Sequence, residues 1–180
     1  MKRILIVAHP DDEVIFFTPA FFDKIIFCFN HRTDKPEIGI SRKLALKEHP
    51  DNIKNLAFDE PEKNEDQVLD TFTIIREALR TTLWNEVKEA DEIYTHNEAG
   101  EYGHEHHILV HDVVKYICNI QKKELYCPHI PITIGEQFDG FRIENDMGHC
   151  KRIINLYKNF NCWTWYNDFE PLVSIVYRKI

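Results

Sequence analysis

Lys2 to Ala8 (KRILIVA) runs directly into His9-Pro10-Asp11-Asp12-Glu13, and this junction decides the fold. The seven-residue stretch is apolar after its first two residues with no polar alternation, the pattern of a strand covered on both faces, as in a parallel sheet. Lys24 to Asn30 (KIIFCFN) has the same character. The segment Asp11 to Phe22 between them is long enough for a short crossover helix, so the N-terminus reads as a βαβ unit.

The alternation continues outward from there. Ser41 to Glu48 reads as helix and Asn52 to Phe58 as a third strand. Glu65 to Glu89 places Val68, Phe72, Ile75, Leu79, Leu83 and Val87 three and four apart, which predicts one long amphipathic helix. Asp91 to His96 is a fourth strand. Glu105 to Ile120 is a helix with Ile108, Val113, Tyr116, Ile117 and Ile120 on its buried side. Beyond Lys123 the pattern loosens: short strands at Leu125 to Cys127 and Ile130 to Ile134, a helix at Met147 to Asn159, and a closing strand at Leu172 to Arg178. Gly135 to Gly140 and Asn161 to Asp168 read as surface loops. The expected architecture is α/β, a mostly parallel sheet with helices, in a single domain spanning residues 1–180 whose part from about residue 124 is the more divergent.

Composition narrows the function classes. The chain carries 22 Lys+Arg against 30 Asp+Glu, a formal charge of −8, so nothing pulls it toward a phosphate backbone and nucleic acid is not an expected partner. No transmembrane segment is expected, and the first apolar run is too short for a signal peptide, which together point to the cytoplasm. The five cysteines, widely spaced and without C-x-x-C, read as small buried hydrophobes rather than disulfide or zinc-ribbon partners.

The chemistry gathers where parallel strands end, the place at which open α/β sheets bind ligands. One loop is His9-Pro10-Asp11-Asp12-Glu13; the other runs from His96 through Gly100-Glu101-Tyr102-Gly103 to His104-Glu105-His106-His107. A catalytic zinc takes imidazoles and a carboxylate and leaves a position for water, and His9, Asp12 and His107 supply that set. Asp11, adjacent and uncoordinated, is the candidate base. His104 and His107 sit three apart on one helix face, so that one can ligate while the other donates to an oxyanion.

AHPDDE after an N-terminal strand, followed about ninety residues later by H-N-x-x-G-E-Y-G-H-x-x-H, resembles the zinc-dependent GlcNAc de-N-acetylases of the PIG-L or LmbE-like family. The resemblance implies a Rossmann-like α/β fold and hydrolysis of an acyl group from an amino-sugar nitrogen. It implies His9, Asp12 and His107 as zinc ligands, a site that Fe2+ or Co2+ also suits, and Asp11 as general base. It implies His104 as the imidazole at the oxyanion and leaving amine, Tyr102 as an assisting hydroxyl, and Arg42 as a donor to sugar hydroxyls. Lys151 and Tyr157 resemble a late helix of the family, with no role transferred. One departure stands out: His106 occupies the place of the family's aspartate, which predicts a lowered pKa for His104 unless Glu101 or Glu105 substitutes.

Plainer readings compete. His9 with Asp12 also suits a helix N-cap. His31, His49, His96, His111, His129 and His149 read as ordinary surface or core histidines. Glu13 reads as a carboxylate orienting ligands or as a solvated side chain, and Asp59 to Asp66 as a solvated loop. Trp163, Trp165 and Tyr166 read as core or as a contact within a homo-oligomer rather than as a sugar platform. Two rival functions are a catalytically silent metal-binding protein and a nucleotide-binding α/β protein. The second is weakened because no glycine-rich phosphate loop follows a strand.

Overall fold

The computed structural model describes residues 1–32, 34–61, 71–129 and 140–180. The strands are β1 (Arg3–Val7), β2 (Lys24–His31), β3 (Ile53–Asp59), β4 (Glu92–Thr95), β5 (Glu124–Pro128), β6 (Phe141–Glu144) and β7 (Ser174–Lys179). They form one sheet in the order β3-β2-β1-β4-β5-β7-β6. The first five strands pair in parallel, and β7 and β6 extend the sheet antiparallel. The helices are α1 (Asp12–Ile15), α2 (Pro36–Ala45), α3 (Thr71–Glu89), the single turn α4 (Gly100–Gly103), α5 (Glu105–Gln121) and α6 (Met147–Asn159). The Rossmann-like α/β expectation holds.

The strand residues alternate between two cores, one on each sheet face. Leu5, Val7, Ile25 and Phe27 pack with Tyr94, Tyr177 and α6 residues Ile153 and Tyr157. Ile4, Ile6, Ile26 and Cys28 pack with Leu79, Leu83 and Val87 of α3 and Val110, Val113 and Ile117 of α5. Helices on both faces explain why the strands carry no polar alternation. All five cysteines are buried free thiols, as their spacing suggested. Among the described residues no helix is long and apolar enough to cross a membrane.

Several boundaries differ from the sequence reading. The expected helix after β1 is one turn of α1 and a 3-10 turn at Pro19–Phe21, because Thr18 precedes proline and sits at φ −114°, ψ 82°, outside helical space. The helix expected at 41–48 starts instead at Pro36, whose fixed φ suits the first helical position, and tightens into a 3-10 turn after Ala45. On α5, Tyr116 and Ile120 are exposed, and Leu109, Val110 and Val114 take the buried side with Val113 and Ile117. The helix assigned from Glu65 is described from Thr71, and the strand at Ile130 to Ile134 and most of the loop at Gly135 to Gly140 lie outside the described residues.

The strand order reverses at β1, which has β2 on one side and β4 on the other. Crevices at such reversals collect ligand-binding loops at the carboxyl ends of the strands. The loops after β1 and β4 therefore lie side by side, and the Ala8 N–H donates to His96 Nε2 across them at 2.9 Å.

Candidate functional site

Residues 9–12 turn sharply out of β1. Asp11 adopts φ 115°, a conformation costly for a side chain with a Cβ, and its N–H is held by Glu13 Oε2 at 3.0 Å. Glu13 is fully buried, and Tyr157 from α6 donates to its other oxygen at 2.8 Å. Glu13 is thus a buried bracket rather than a solvated side chain, and Tyr157 of the late helix completes it. The side chains do not cap α1 as the plainer reading supposed: Asp12 Oδ2 accepts the His9 N–H at 2.7 Å, and Asp11 makes no side-chain cap.

The second loop makes an equally tight bend. Gly100 sits at φ 61° with Ile108 2.8 Å from where a Cβ would stand, so no larger residue fits there. Glu101 at φ 59° then sends its side chain back under the strand ends. Its Oε2 accepts from His107 Nδ1 at 2.7 Å and from His96 Nδ1 at 2.9 Å, and its Oε1 accepts the Asn97 N–H at 2.9 Å. Burial opposes this charge, but the two imidazoles outweigh it and hold the carboxyl down to about 2. Glu101 therefore serves His107 and His96, not His104.

Donor atoms of His9, Asp12 and His107 lie within 4.8 Å of one another, all three residues buried. Asp12 Oδ1 is 3.3 Å from His107 Nε2, and Asp12 Oδ2 is 3.4 Å from His9 Nδ1. These are two imidazoles and a carboxylate converging on one point, with the far nitrogen of His107 tied to a carboxylate, the arrangement that orients a metal-ligating imidazole. The donor set fits a zinc-like divalent ion. Burial works against charge on Asp12 and His107, yet the pair prevails: Asp12 is held well below the usual carboxylate range and His107 is raised to about 10. His96, His107 and Glu101 also converge within 4.8 Å, but both Nδ1 atoms there are spent on one carboxylate oxygen and His96 Nε2 accepts the Ala8 N–H. His96 is therefore a buttress, stacked on His107 at 3.9 Å, and not the ordinary core histidine expected.

Asp11 stands beside this cluster. Burial raises its carboxyl to about 7, against the neighbouring Arg42 cation, which pulls it down. The Thr164 hydroxyl and N–H both donate to Asp11 Oδ2, bringing the loop after α6 over the site. That loop is more than surface. Its Trp165 packs against Phe16 and Tyr102, a partial correction to the reading of the tryptophans as core. Tyr102 itself is 58% exposed at the mouth of the site, with its phenol pushed up to about 12 by burial and the nearby carboxylates.

His104 caps α5, its Nδ1 accepting the His106 N–H at 3.3 Å, and its ring stacks on His107 at 4.4 Å. Burial, followed by His107 and His106, lowers it to about 4, the direction expected from the missing aspartate. Arg42 is buried with Nη1 on Glu60 at 2.9 Å. Glu60 is thus an exception to the solvated reading of its acidic run, and it lies 3.6 Å from His9 Nε2. His9, Asp11, Asp12, Arg42, Tyr102, His104, Thr164 and Trp165 all line one cavity of about 480 Å³, so every sequence-chosen site residue except the deeper His107 borders it directly. His96, Thr164 and Glu60 were missed by sequence reasoning, and Glu101 was named only as a possible partner of His104. Of the three missed, only His96, the last residue of the predicted fourth strand and the opening of the second motif, carried a usable signal.

A metal-compatible donor triad with an adjacent buried carboxylate, at the carboxyl ends of a Rossmann-like sheet, is an arrangement that can support metal-assisted hydrolysis. The chain has the fold of solved deacetylases. One is a deacetylase triple mutant (Orf2*T) described as involved in the teicoplanin biosynthetic pathway, at TM-score 0.64 and 10% identity over 100% of this chain and 99% of that one. Another is the zinc-inhibited form of teicoplanin deacetylase Orf2, at TM-score 0.63 and 9% identity over 99% of each chain. A third is the A40926 pseudoaglycone deacetylase Dbv21, at TM-score 0.61 and 11% identity over 89% of this chain and 81% of that one. No protein-family model matches the chain. No curated protein sequence matches it either.

Proposed function

We propose that the chain is a zinc-dependent amidohydrolase of the PIG-L or LmbE-like type, removing an acetyl or similar acyl group from the nitrogen of an amino sugar or glycoconjugate in the cytoplasm. The observation that carries this reading is the pairing of the His9–Asp12–His107 cluster, whose His9 and Asp12 line the cavity, with a second buried carboxylate, Asp11, that lines it beside them. His9, Asp12 and His107 would hold the ion, which when bound supplies polarisation of the acyl oxygen and a more acidic water. The fold shared with deacetylases agrees with the reading.

Asp11 takes the proton of the attacking water, and a carboxyl near 7 is matched to that task at neutral pH. Thr164 holds one Asp11 oxygen and so aims the other into the cavity. His104 is neutral at pH 7; with Nδ1 accepting the His106 N–H, its proton sits on Nε2 and is available to a developing oxyanion. Tyr102, protonated and at the cavity mouth, supplies a second donor. Because His104 is neutral, return of the proton to the leaving amine falls to Asp11. Arg42, anchored by Glu60, presents its guanidinium to the sugar hydroxyls.

The test is primary-amine release from N-acetylglucosamine and its nucleotide-linked and lipid-linked forms by zinc-loaded protein. Release from at least one, abolished by a chelator and restored by zinc, is the expected result. Zinc uptake with no amine from any member of the panel would favour a silent metal-binding protein.

A further inference from the structure

His106, the residue that stands where the resembled family has an aspartate, packs against the rings of both His104 and His9, at centroid distances of 5.0 and 5.3 Å. Its ring lies between Phe29 and Phe72, at centroid distances of 5.4 and 6.0 Å. Its Nε2 is 3.0 Å from the Pro61 carbonyl oxygen, and its Nδ1 is 3.1 Å from His9 Nε2. A carbonyl oxygen only accepts, so the His106 proton is on Nε2 and Nδ1 carries a lone pair. That lone pair needs a donor at 3.1 Å, which places the proton of His9 on Nε2 and leaves His9 Nδ1 bare, 3.4 Å from Asp12 Oδ2. The opposite tautomer of His9 would set two lone pairs against each other at 3.1 Å, whereas the bare Nδ1 and Asp12 Oδ2, 3.4 Å apart, would both face the ion. Glu60 Oε1 does not replace His106 as acceptor, since it is 3.6 Å from His9 Nε2 and already takes the Arg42 Nη1–H at 2.9 Å.

We infer that His106 is a positioning residue: relaying the Pro61 carbonyl through its own ring, it fixes His9 in the Nε2–H tautomer and so presents Nδ1 as the metal-ligating atom. The inference rests on the reading of His9 as a ligand. It gives His9 the same kind of support that Glu101 gives His107, so that each imidazole of the cluster has its far nitrogen tied to an acceptor in the protein. It also accounts for a histidine at this place: from α5 a carboxylate would accept from His9 but could not donate to Pro61.

Two measurements test it. Nitrogen-15 NMR of the imidazoles in the zinc-loaded protein should show His106 as the Nε2–H tautomer and His9 protonated on Nε2 with Nδ1 on the metal; metal on His9 Nε2 overturns the inference whatever the variants do. Zinc affinity by competition with a chelator should fall about 10- to 100-fold in His106→Phe, which keeps a ring between Phe29 and Phe72 but offers no acceptor. His106→Gln, whose amide can both accept from His9 and donate to Pro61, should stay within about threefold of the wild type. A folded His106→Phe chain with wild-type affinity contradicts the inference, as does an equal loss in both variants. A wild-type chain that takes up no zinc defeats the ligand assignment instead, and the same titration separates that failure from this one.

Discussion

Glu101→Gln is the most informative single perturbation of the site, because one buried carboxylate holds two imidazoles. Its carboxyl moves from 4.5 to about 2 on folding. At 1.36 kcal/mol per unit, that difference is worth about 3 kcal/mol of stability. The pKa is depressed, so the contribution is complete above 4.5 and disappears as pH falls toward 2. His107, raised to about 10 against burial chiefly by Asp12 and then by Glu101, shares part of this interaction, and the two are not added. In metal-free protein at pH 7 the variant should therefore lose about 3 kcal/mol; with a urea m value of roughly 2 to 3 kcal/mol/M, the midpoint falls by about 1 to 1.5 M. The assay is urea unfolding of both proteins from pH 7 down to pH 3. A difference that narrows below pH 4.5 supports the assignment. A difference under about 1 kcal/mol at pH 7, or one that does not change with pH, refutes it.

Other consequences follow from the same geometry. Asp11→Asn should retain zinc while turnover drops by roughly 10² to 10⁴, as for a lost general base; equal loss of metal would make Asp11 a ligand. Thr164→Val removes a hydrogen bond that lowers the Asp11 carboxyl, so the ascending limb of the pH–rate profile should move to higher pH, and an unmoved limb would detach Thr164 from the base. All five cysteine thiols are buried, and burial raises the pKa of each one resolved, so a thiol reagent should label none in the folded protein and all five in denaturant.

What could be read from the sequence follows from how far apart the cooperating residues are. β1 and its loop bring the strand, the proposed ligands His9 and Asp12 and the proposed base Asp11 into the consecutive stretch Arg3 to Asp12, so apolar patterning and residue chemistry sufficed there. The partners of those residues were harder. Thr164 reaches Asp11 from 153 positions away in a loop without periodicity, and Glu60 sits in an acidic run whose other members gave no reason to single it out. Glu101 was legible as a carboxylate but not in direction, because its aim depends on a positive φ of 59° set up by Gly100. His106 was read with His104 because it takes the place of the resembled family's aspartate; the two rings do meet, at 5.0 Å, but the His106 Nδ1 contact goes to His9, which lies 97 positions away in the chain. The edge strand β6 went unseen because its four residues, mostly exposed, lack the apolar run of the inner strands.

The central claim is that His9, Asp12 and His107 hold one divalent ion, and elemental analysis of zinc-reconstituted protein tests it most directly. The account predicts one zinc per wild-type chain and a large loss of metal in both His9→Ala and His107→Ala, with His96→Ala, which alters a buttress rather than a ligand, keeping most of it. Wild-type stoichiometry in either ligand variant, or no zinc in the wild type, would contradict the account.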